Sequence, residues 1–336
     1  MQVCPITQFG VDNLRPTTLP DPVPGPGQVL VRVHAVALNY RDLLTVRGQY
    51  NPKMHLPRIP CSDGAGEVLA IGEGVTQVQV GDRVMGLFMQ NWLDGELTAA
   101  KAKGALGGDI DGMLAELVVL HESGVAPIPD YMTYQQAATL PCAALTAWHA
   151  LTVATQVKAG DTVVIQGTGG VSIFALQFAK LLGARVLGTS SNDAKLQRAQ
   201  MLGLDAGLNY RNRPAWAKWV MEQTGGIGAD VVVEVGGAGT LAQSLAAVRT
   251  SGTIAQIGVL SGVEQPVSIP ALLHRQVRLQ GIYVGSREMF LAMCRALVLH
   301  HLQPEIDSVY PFAEAQAAFT HMANGNHFGK ILIAMQ

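Results

Sequence analysis

The sequence has little cysteine and little charge, and each shortage excludes a class of protein. Only four cysteines occur in 336 residues, far apart and without a CxxC pair, which argues against a disulfide framework or a structural zinc and predicts a cytoplasmic location. Charged residues make up 14% of the chain, the net charge is −2, and no basic run is long enough to follow a phosphate backbone. We therefore predict a folded protein that does not bind nucleic acid.

A stretch without charge lies between Asp130 and Lys158, so a membrane helix has to be considered. Polar residues interrupt it, among them Gln135, Gln136 and His149. The N-terminus also lacks the basic and apolar regions of a signal peptide. The sequence predicts a buried helix pair between two domains and no membrane association.

The strand pattern changes along the chain and predicts two domains. Residues 28–38 and 64–86 read as closely spaced strands and turns, typical of a partly open β-barrel. From Lys158 onward strands and helices alternate, including a helix over 240–252, which is typical of a doubly wound parallel sheet. Because "GKILIAM" near the C-terminus resembles the opening strands, we predict that 1–126 and 303–336 form a substrate domain and 127–302 a dinucleotide-binding domain.

The most informative stretch is "VVIQGTGGVSIFALQFAK" (163–180), in which a strand runs through a glycine-rich turn into a helix. Glycines let the backbone approach a pyrophosphate, and the free N–H groups at a helix start attract its charge. The third glycine of the G-x-G-x-x-G pattern is Ser172 here, and an ordinary strand–helix turn is the alternative interpretation. The predicted phosphate contacts are Gly167, Thr168, Gly169, Gly170 and Val171.

The end of the second strand, "GTSSNDAK" (188–195), bears on the choice of cofactor. NAD enzymes commonly place a carboxylate there for the ribose 2′-hydroxyl, whereas hydroxyl donors suit a 2′-phosphate. This favours NADP(H) over NAD(H). Asp193 is a complication, and its position before a helix suits an N-cap. Lys195 is open to a second interpretation as a solvated helix residue. The predicted contacts to the 2′-phosphate and its ribose are Thr189, Ser190, Ser191, Lys195, Tyr210 and Arg211.

The order of the motifs "PGPGQVLVRV", "ALNYRDLL", "IPCSDGAGEV", "VGDRVMG", "LPCAALTAWHAL", "GTGGVS", "GADVVVEVGG" and "FGKILIAM" resembles the medium-chain dehydrogenase/reductase superfamily over nearly the whole chain. Within it, the sequence resembles the zinc-independent quinone oxidoreductases and zinc-free alcohol-dehydrogenase-like proteins. The resemblance implies an α/β protein with a GroES-like partly open β-barrel substrate domain and a Rossmann cofactor domain.

The resemblance also locates the catalytic zinc ligands of the metal-dependent members. The first position falls in "NYRD" (39–42) without a cysteine, the second in "CSD" (61–63) without a histidine, and the third is Cys142. One thiolate is not enough, since catalytic zinc takes three protein ligands and a water. Residues 91–112, where the structural zinc lobe would lie, contain no cysteine. We therefore expect no metal.

The remaining site residues follow from the resemblance, which points to the cleft between the two domains. Asn39, Tyr40 and Asp42 are expected on the substrate-domain wall. Tyr40 or Tyr50 is the candidate proton donor, and Asp63 the residue that orients a donor. Packing of Tyr40 and turn capping by Asp63 stay open as alternatives. The further cofactor contacts implied by the resemblance are Asn39, Thr146, Gly258, Val259, Tyr283, Val284, Phe328 and Lys330.

The sequence thus predicts an NADPH-dependent, zinc-independent oxidoreductase that transfers hydride to a quinone, an activated carbonyl or alkene, or a simple aldehyde or ketone. The strand "RLQGIYVG" (278–285) is the expected contact of a homodimer. Two alternatives remain. One is an enoyl-thioester reductase, which would need basic residues for a phosphate-bearing carrier, such as Arg41, Arg47, Lys53 and Arg58. The other is a non-enzymatic NADPH-binding protein.

Overall fold

The structure is a computed structural model that describes residues 1–335. Its strands are β1 Gln2–Val3, β2 Thr17–Thr18, β3 Gln28–Ala37, β4 Asp63–Ile71, β5 Arg83–Gly86, β6 Leu117–His121, β7 Val125–Pro127, β8 Thr162–Gln166, β9 Arg185–Ser190, β10 Ala206–Asn209, β11 Ala229–Glu234, β12 Val248–Gln256, β13 Arg278–Gly281, β14 Ile306–Pro311 and β15 Lys330–Ala334. Its α-helices are α1 Tyr40–Val46, α2 Tyr134–Ala138, α3 Leu145–Trp148, α4 Gly170–Leu181, α5 Asp193–Met201, α6 Trp216–Gln223, α7 Leu241–Ala247, α8 Ile269–Leu273, α9 Arg287–His300 and α10 Ala315–Asn324.

Contacts divide the chain into two compact units, the first made of Met1–Leu145 with the chain from Val284 onward, and the second of Thr146–Tyr283. Both boundaries between the units, at 145/146 and 283/284, lie inside the predicted domain 127–302. The reason is that elements at both ends of that predicted domain pack within the first unit. Helix α2 packs on β3 and β4, and the Tyr131 hydroxyl donates to the Leu297 carbonyl oxygen of α9 at 2.9 Å. The predicted boundaries themselves stay a prediction.

The first unit is built on a seven-stranded sheet in the order β14–β15–β3–β4–β5–β7, with β6 also paired to β3. Strand β15 pairs antiparallel with β3, so the prediction that the C-terminal strand returns to the opening sheet is confirmed. The "GAGEV" motif lies in β4, and a Cβ at Gly66 would stand 2.0 Å from the Arg32 carbonyl oxygen of β3. Glycine is therefore required there by the close approach of two strands.

The second unit contains a six-stranded sheet in the order β10–β9–β8–β11–β12–β13, and all of its pairs are parallel. The predicted doubly wound parallel sheet is confirmed. Its central strands, β8 and β11, are apolar and buried almost throughout, as strands covered on both faces require. The predicted helix over 240–252 is wrong at its end: α7 stops at Ala247, and Val248 already begins β12.

The uncharged stretch folds as a series of short helical segments. Thr133 and Gln136 form a capping box at the start of α2, and two wide π-helical turns, Leu140–Ala144 and His149–Ala154, lie on either side of α3. Helical structure is thus confirmed in this stretch, although no single element in it is long. Over residues 1–335, no helix combines the length and the apolar character needed to cross a membrane.

Candidate functional site

The turn after β8 has an open, donor-rich surface. Gly167 has φ +70°, donates its N–H to the Thr189 carbonyl oxygen at 2.7 Å, and a Cβ on it would meet no atom within 4 Å. Helix α4 begins at Gly170, and its N-cap, Gly169, has no side chain to cap it. The first N–H groups of a helix lack intrahelical partners, so this turn can receive an anion as large as a pyrophosphate.

The departure from the glycine pattern at Ser172 has a structural explanation. Its side chain is buried, and its hydroxyl donates to the Gln166 carbonyl oxygen at 2.7 Å. Strand β8 and helix α4 are thereby tied together across the turn. A small side chain keeps the close helix–strand packing that glycine would allow, and its hydroxyl adds a hydrogen bond.

A buried carboxylate on β11 is hydrogen-bonded to Gln166, the residue of β8 that precedes this turn, and the sequence did not lead us to it. Glu234, the last residue of β11, is 0% exposed. A glutamate inside the apolar "VVVEVGG" was the signal, since a buried carboxylate has to be fully hydrogen-bonded. Its donors are Gly236 N at 2.8 Å, Gly237 N at 2.9 Å, Thr240 Oγ1 at 2.6 Å, Gln166 Nε2 at 2.7 Å and Ser244 Oγ.

The end of β9 carries hydroxyl groups without an adjacent carboxylate. Ser190 is buried; its Oγ accepts from Asn192 N at 3.3 Å, and its carbonyl oxygen accepts from Tyr210 N at 3.0 Å. Asn192 is the N-cap of α5, whereas Asp193 is the first helical residue and accepts from Asn209 Nδ2 at 3.0 Å. The expectation that Asp193 is the N-cap is therefore wrong by one residue, because the amide of Asn192 accepts from the Lys195 N–H.

The structure distributes the other predicted cofactor residues over both units. In the second unit, Thr146 is buried, and Gly258 N donates to the Glu234 carbonyl oxygen at 3.2 Å. Ser191 and Lys195 are half-buried. The exposed ones there are Val259, Tyr283, Tyr210 and Arg211, and those in the first unit, all buried, are Asn39, Val284, Phe328 and Lys330.

A buried polar network occupies the first unit where β3 ends and β15 begins. The Lys330 ammonium donates to the Leu38 carbonyl oxygen at 2.7 Å and to Asn39 Oδ1 at 2.5 Å. Asn39 Nδ2 donates to Ser62 Oγ at 3.3 Å, and the Ser62 hydroxyl donates to Asp63 Oδ1 at 2.7 Å. We call these four residues the Lys330–Asp63 network. Two of its members, Asn39 and Asp63, were predicted to lie at the substrate site. Lys330 was predicted to contact the cofactor.

Asp63 closes this network at its acceptor end. Its second oxygen, Oδ2, accepts the backbone N–H of Cys142 at 3.1 Å, and the side chain is 0% exposed. Burial raises the pKa of Asp63 to about 6, and the nearby Lys330 charge opposes that rise. A backbone with φ +70° at Cys61 precedes Ser62 and Asp63.

The other predicted catalytic residues lie apart from this network or have structural partners. Asp42 is fully buried; its Oδ2 accepts from Asn39 N at 2.8 Å at the start of α1, and its Oδ1 accepts from Arg41 at 3.1 Å. Tyr40 is 36% and Tyr50 40% exposed. The Arg41 guanidinium stands 5.0 Å from the Tyr50 ring centre. Proton donation by Tyr40 or Tyr50 stays a prediction.

The residues at the expected catalytic zinc position do not fit that metal. Of the side chains there, Asn39 and Ser62 are neutral, and burial raises the pKa of the Cys142 thiol far above its ordinary value, which disfavours the thiolate that zinc requires. The Lys330 ammonium supplies a positive charge to the same network. Across the described part of the chain, no three His, Cys, Asp or Glu side chains are grouped so that they could hold a metal ion.

Comparison with known proteins matches both units to known families. Residues 25–130 match a family described as an alcohol dehydrogenase GroES-like domain, and residues 170–298 one described as a zinc-binding dehydrogenase. A zinc-type alcohol dehydrogenase-like protein of Schizosaccharomyces pombe is 39% identical over 96% of each chain. A quinone oxidoreductase of Pseudomonas aeruginosa is 32% identical over 89% of each, and an acryloyl-coenzyme A reductase of Metallosphaera sedula 31% identical over 93% of this chain and 94% of its own.

Solved structures give the same result. A putative alcohol dehydrogenase from Sinorhizobium meliloti superposes with a TM-score of 0.93 at 40% identity, covering 99% of this chain and 98% of its own. An NAD-dependent alcohol dehydrogenase superposes at 0.92 with 33% identity over the whole of both chains. A mycobacterial protein complexed with NADPH superposes at 0.85 with 30% identity, over 99% of this chain and all of its own. The chain belongs to the medium-chain dehydrogenase/reductase superfamily of oxidoreductases.

Proposed function

We propose that this protein is an NADPH-dependent, zinc-independent oxidoreductase that reduces a quinone, an activated carbonyl or alkene, or a simple aldehyde or ketone. The observation that carries the proposal is the end of β9, where Ser190 and Ser191 stand at the place of a ribose-binding carboxylate. The nearest acid, Asp193, is engaged by Asn209. A 2′-phosphate would therefore meet hydroxyl donors and the cations of Lys195 and Arg211.

The residues around the glycine turn fit a dinucleotide on physical grounds. The space beside Gly167 is open, and no side chain caps the N–H groups at the start of α4. The Gln166 side chain, just before the turn, donates to Glu234, and this contact does not use those N–H groups. The first helical turn and Gly167 would hold the pyrophosphate, while Ser190, Ser191 and Lys195 would hold the 2′-phosphate.

When bound, the reduced nicotinamide supplies a hydride, and the carbon that accepts it shifts an electron pair onto the substrate oxygen. Without zinc, that oxygen needs hydrogen-bond donors. Asn39 is 8% exposed and presents an amide nitrogen, so it is our candidate donor from the Lys330–Asp63 network. Tyr40, which is partly exposed, or water then gives the oxygen a proton.

The test is a steady-state screen with NADPH and NADH against a p-benzoquinone, an enal, a ketone and an enoyl thioester, together with metal analysis of the purified protein. We expect turnover with NADPH and well under one zinc per chain. Stoichiometric zinc would contradict zinc independence. NADPH binding without turnover of any substrate would favour a non-enzymatic NADPH-binding protein.

An enoyl-thioester reductase is the second candidate, because the acryloyl-coenzyme A reductase relative aligns over most of both chains. Its phosphate-bearing carrier needs exposed cations. Arg41 is buried between the Tyr50 and Phe88 rings, and Arg58 pairs with Asp111 at 3.2 Å, whereas Arg47 and Lys53 are exposed. Preference for the enoyl thioester over the free enal in the screen would select this function.

We also propose a cytoplasmic homodimer. Strand β13 is the terminal strand of its sheet, and all four of its residues are exposed. Val263, Ile269 and Leu273 add exposed apolar surface in the same unit. The four cysteines are free, as a reducing compartment requires. Sedimentation equilibrium should give twice the chain mass, and a monomer at micromolar concentration would contradict the dimer.

A further inference from the structure

We propose that Lys330 is a positioning residue whose ammonium fixes the orientation of the Asn39 side-chain amide and so makes Asn39 a hydrogen-bond donor to the substrate oxygen. This inference rests on the proposed function. It replaces the expected role of Lys330 as a cofactor contact. All the residues on which the proposal depends lie within the first unit.

The direction of every hydrogen bond in the Lys330–Asp63 network is set by its two ends. A lysine ammonium has three donors and no acceptor, and an ionised carboxylate accepts only. The carbonyl oxygen of Asn39 must therefore face Lys330, at 2.5 Å, and its nitrogen must face Ser62. The Ser62 hydroxyl, which accepts from Asn39, then has its own hydrogen directed at Asp63.

Burial makes this arrangement costly to disturb. Lys330 is 2% exposed and Ser62 and Asp63 are 0% exposed, so water is not at hand to replace a lost partner. Asn39 is slightly more exposed, at 8%; its nitrogen carries two hydrogens, and its bond to Ser62 is long, 3.3 Å. A turned amide would present an oxygen to both Ser62 and the substrate, and an oxygen does not stabilise negative charge on another oxygen.

The Lys330 ammonium also balances charge in the protein interior. Two carboxylates, Asp42 and Asp63, and two cations, Arg41 and Lys330, interact there, with Arg41 and Asp42 3.1 Å apart. A buried cation is tolerated when it is paired and hydrogen-bonded. Lys330 meets this condition with two oxygen acceptors, and its charge acts together with that of Arg41 to balance the two carboxylates.

The first test is a double-mutant cycle in the full-length protein, with kcat and KM measured for NADPH and the best substrate of the screen. Lys330→Met keeps the side-chain length without a donor, and Asn39→Asp can accept from Lys330 but cannot donate. Each is expected to lower kcat at least about thirtyfold, as loss of a donor to developing charge does. The KM for NADPH should change less than about threefold.

In the double variant the losses should not multiply, because both substitutions remove the same donor. Multiplied losses, or an unchanged kcat in Asn39→Asp, would overturn the proposal. Lys330→Arg, which also only donates, should recover kcat to within about tenfold of wild type. Lys180→Met is the matched control, since Lys180 is ion-paired with Asp205 in the second unit and should keep wild-type kcat.

The second test needs no turnover. In ¹⁵N-labelled protein, the Asn39 side-chain amide signal is the one missing from Asn39→Asp. It should be displaced in Lys330→Met and unmoved in Lys180→Met. An unmoved signal in Lys330→Met would overturn the proposal. A wild-type protein that reduces nothing in the screen would instead overturn the proposed function, and the amide signal would still decide the role of Lys330.

Discussion

A completely buried carboxylate from each unit, Asp63 of the first and Glu234 of the second, shows two different ways of stabilising such a group. Asp63 lies at the end of a chain of side chains that starts at an ammonium. Glu234 accepts hydrogen bonds from two backbone N–H groups, two hydroxyls and one amide, all within its own unit.

The difference corresponds to the ligand that we propose for each region. The donors to Glu234 come from the residues that follow β11 and from Gln166 at the end of β8, and none of them is an N–H group at the start of α4, where an anion could bind. Asp63 accepts from the Cys142 N–H and from the Ser62 hydroxyl, and through Ser62 it ends the chain of hydrogen bonds that orients Asn39, our proposed donor to the substrate oxygen. A buried carboxylate can therefore serve as an anchor for a loop or as the terminal acceptor of an oriented network.

The largest expected effect comes from Glu234→Gln. An amide offers one acceptor oxygen and places an NH₂ group against donors, so several buried partners lose their acceptor. Breaking a buried hydrogen-bonded charge network costs about 3–5 kcal/mol, and chemical denaturation should show it. Glu222→Gln, at an exposed glutamate paired with Arg213, is the control and should leave unfolding nearly unchanged. Equal effects of the two variants would contradict the anchoring role.

The substitution Gly167→Val tests whether the cofactor occupies the open space beside the turn after β8. The new side chain would enter empty space, so the fold should survive with a backbone penalty of about 1–2 kcal/mol. NADPH affinity, measured by fluorescence titration, should fall at least about a hundredfold because the pyrophosphate needs that space. Gly160→Val is the matched control, since Gly160 also has positive φ and no neighbour within 4 Å. Similar NADPH affinity in both variants would argue against a dinucleotide at Gly167.

The raised pKa of the Asp63 carboxyl predicts that the stability of the fold depends on pH. Its pKa of about 6 in the fold exceeds its ordinary value of 3.8, so the folded state retains a proton that the unfolded state loses. The resulting stabilisation is present in full below about pH 4 and is lost as pH rises through about 6, amounting to about 2–3 kcal/mol. Urea unfolding from pH 4 to 7 should show this decline in wild type. Asp63→Asn should lack it, and a decline of the same size in that variant would assign the effect to another group.

The smallest expected effect is on cofactor choice. Ser190→Asp places a carboxylate where a 2′-phosphate is proposed, and it should lower the affinity for NADPH relative to NADH by about tenfold. Because Ser190 is buried, Ser191→Asp serves as a second variant at a half-buried neighbour. Met201→Asp adds the same charge at an exposed residue and controls for general electrostatics. An unchanged preference in both serine variants would remove β9 from the 2′-phosphate site.

Local patterns in the sequence predicted much of the fold. The glycine turn, the parallel strands around it and the opening strands all depend on neighbouring residues, and the structure confirms them. The helix expected over 240–252 extends too far. The reason is that no glycine, proline or other turn residue stands directly before Val248 to separate the end of α7 from the start of β12.

The site was predictable only in part, for a related reason. Asn39 and Asp63 were identified from motifs, but their connection through Ser62 and Lys330 depends on how distant strands pair. Glu234 was visible as an acid in an apolar strand, and four of its five donors follow within ten residues, but the fifth, Gln166, lies 68 residues away on β8. Hydrogen-bond partners across a fold leave no spacing in the sequence that identifies them.

The pairing of β15 with β3 has a consequence for the folding reaction. The Lys330–Asn39 contact joins residues 291 positions apart, so it cannot form until the whole intervening chain has been brought into place. Closing contacts of such high sequence separation is slow compared with forming local helices and hairpins. The donor orientation at Asn39 should therefore be acquired in a late step of folding. A refolding experiment should recover helical circular dichroism before it recovers activity.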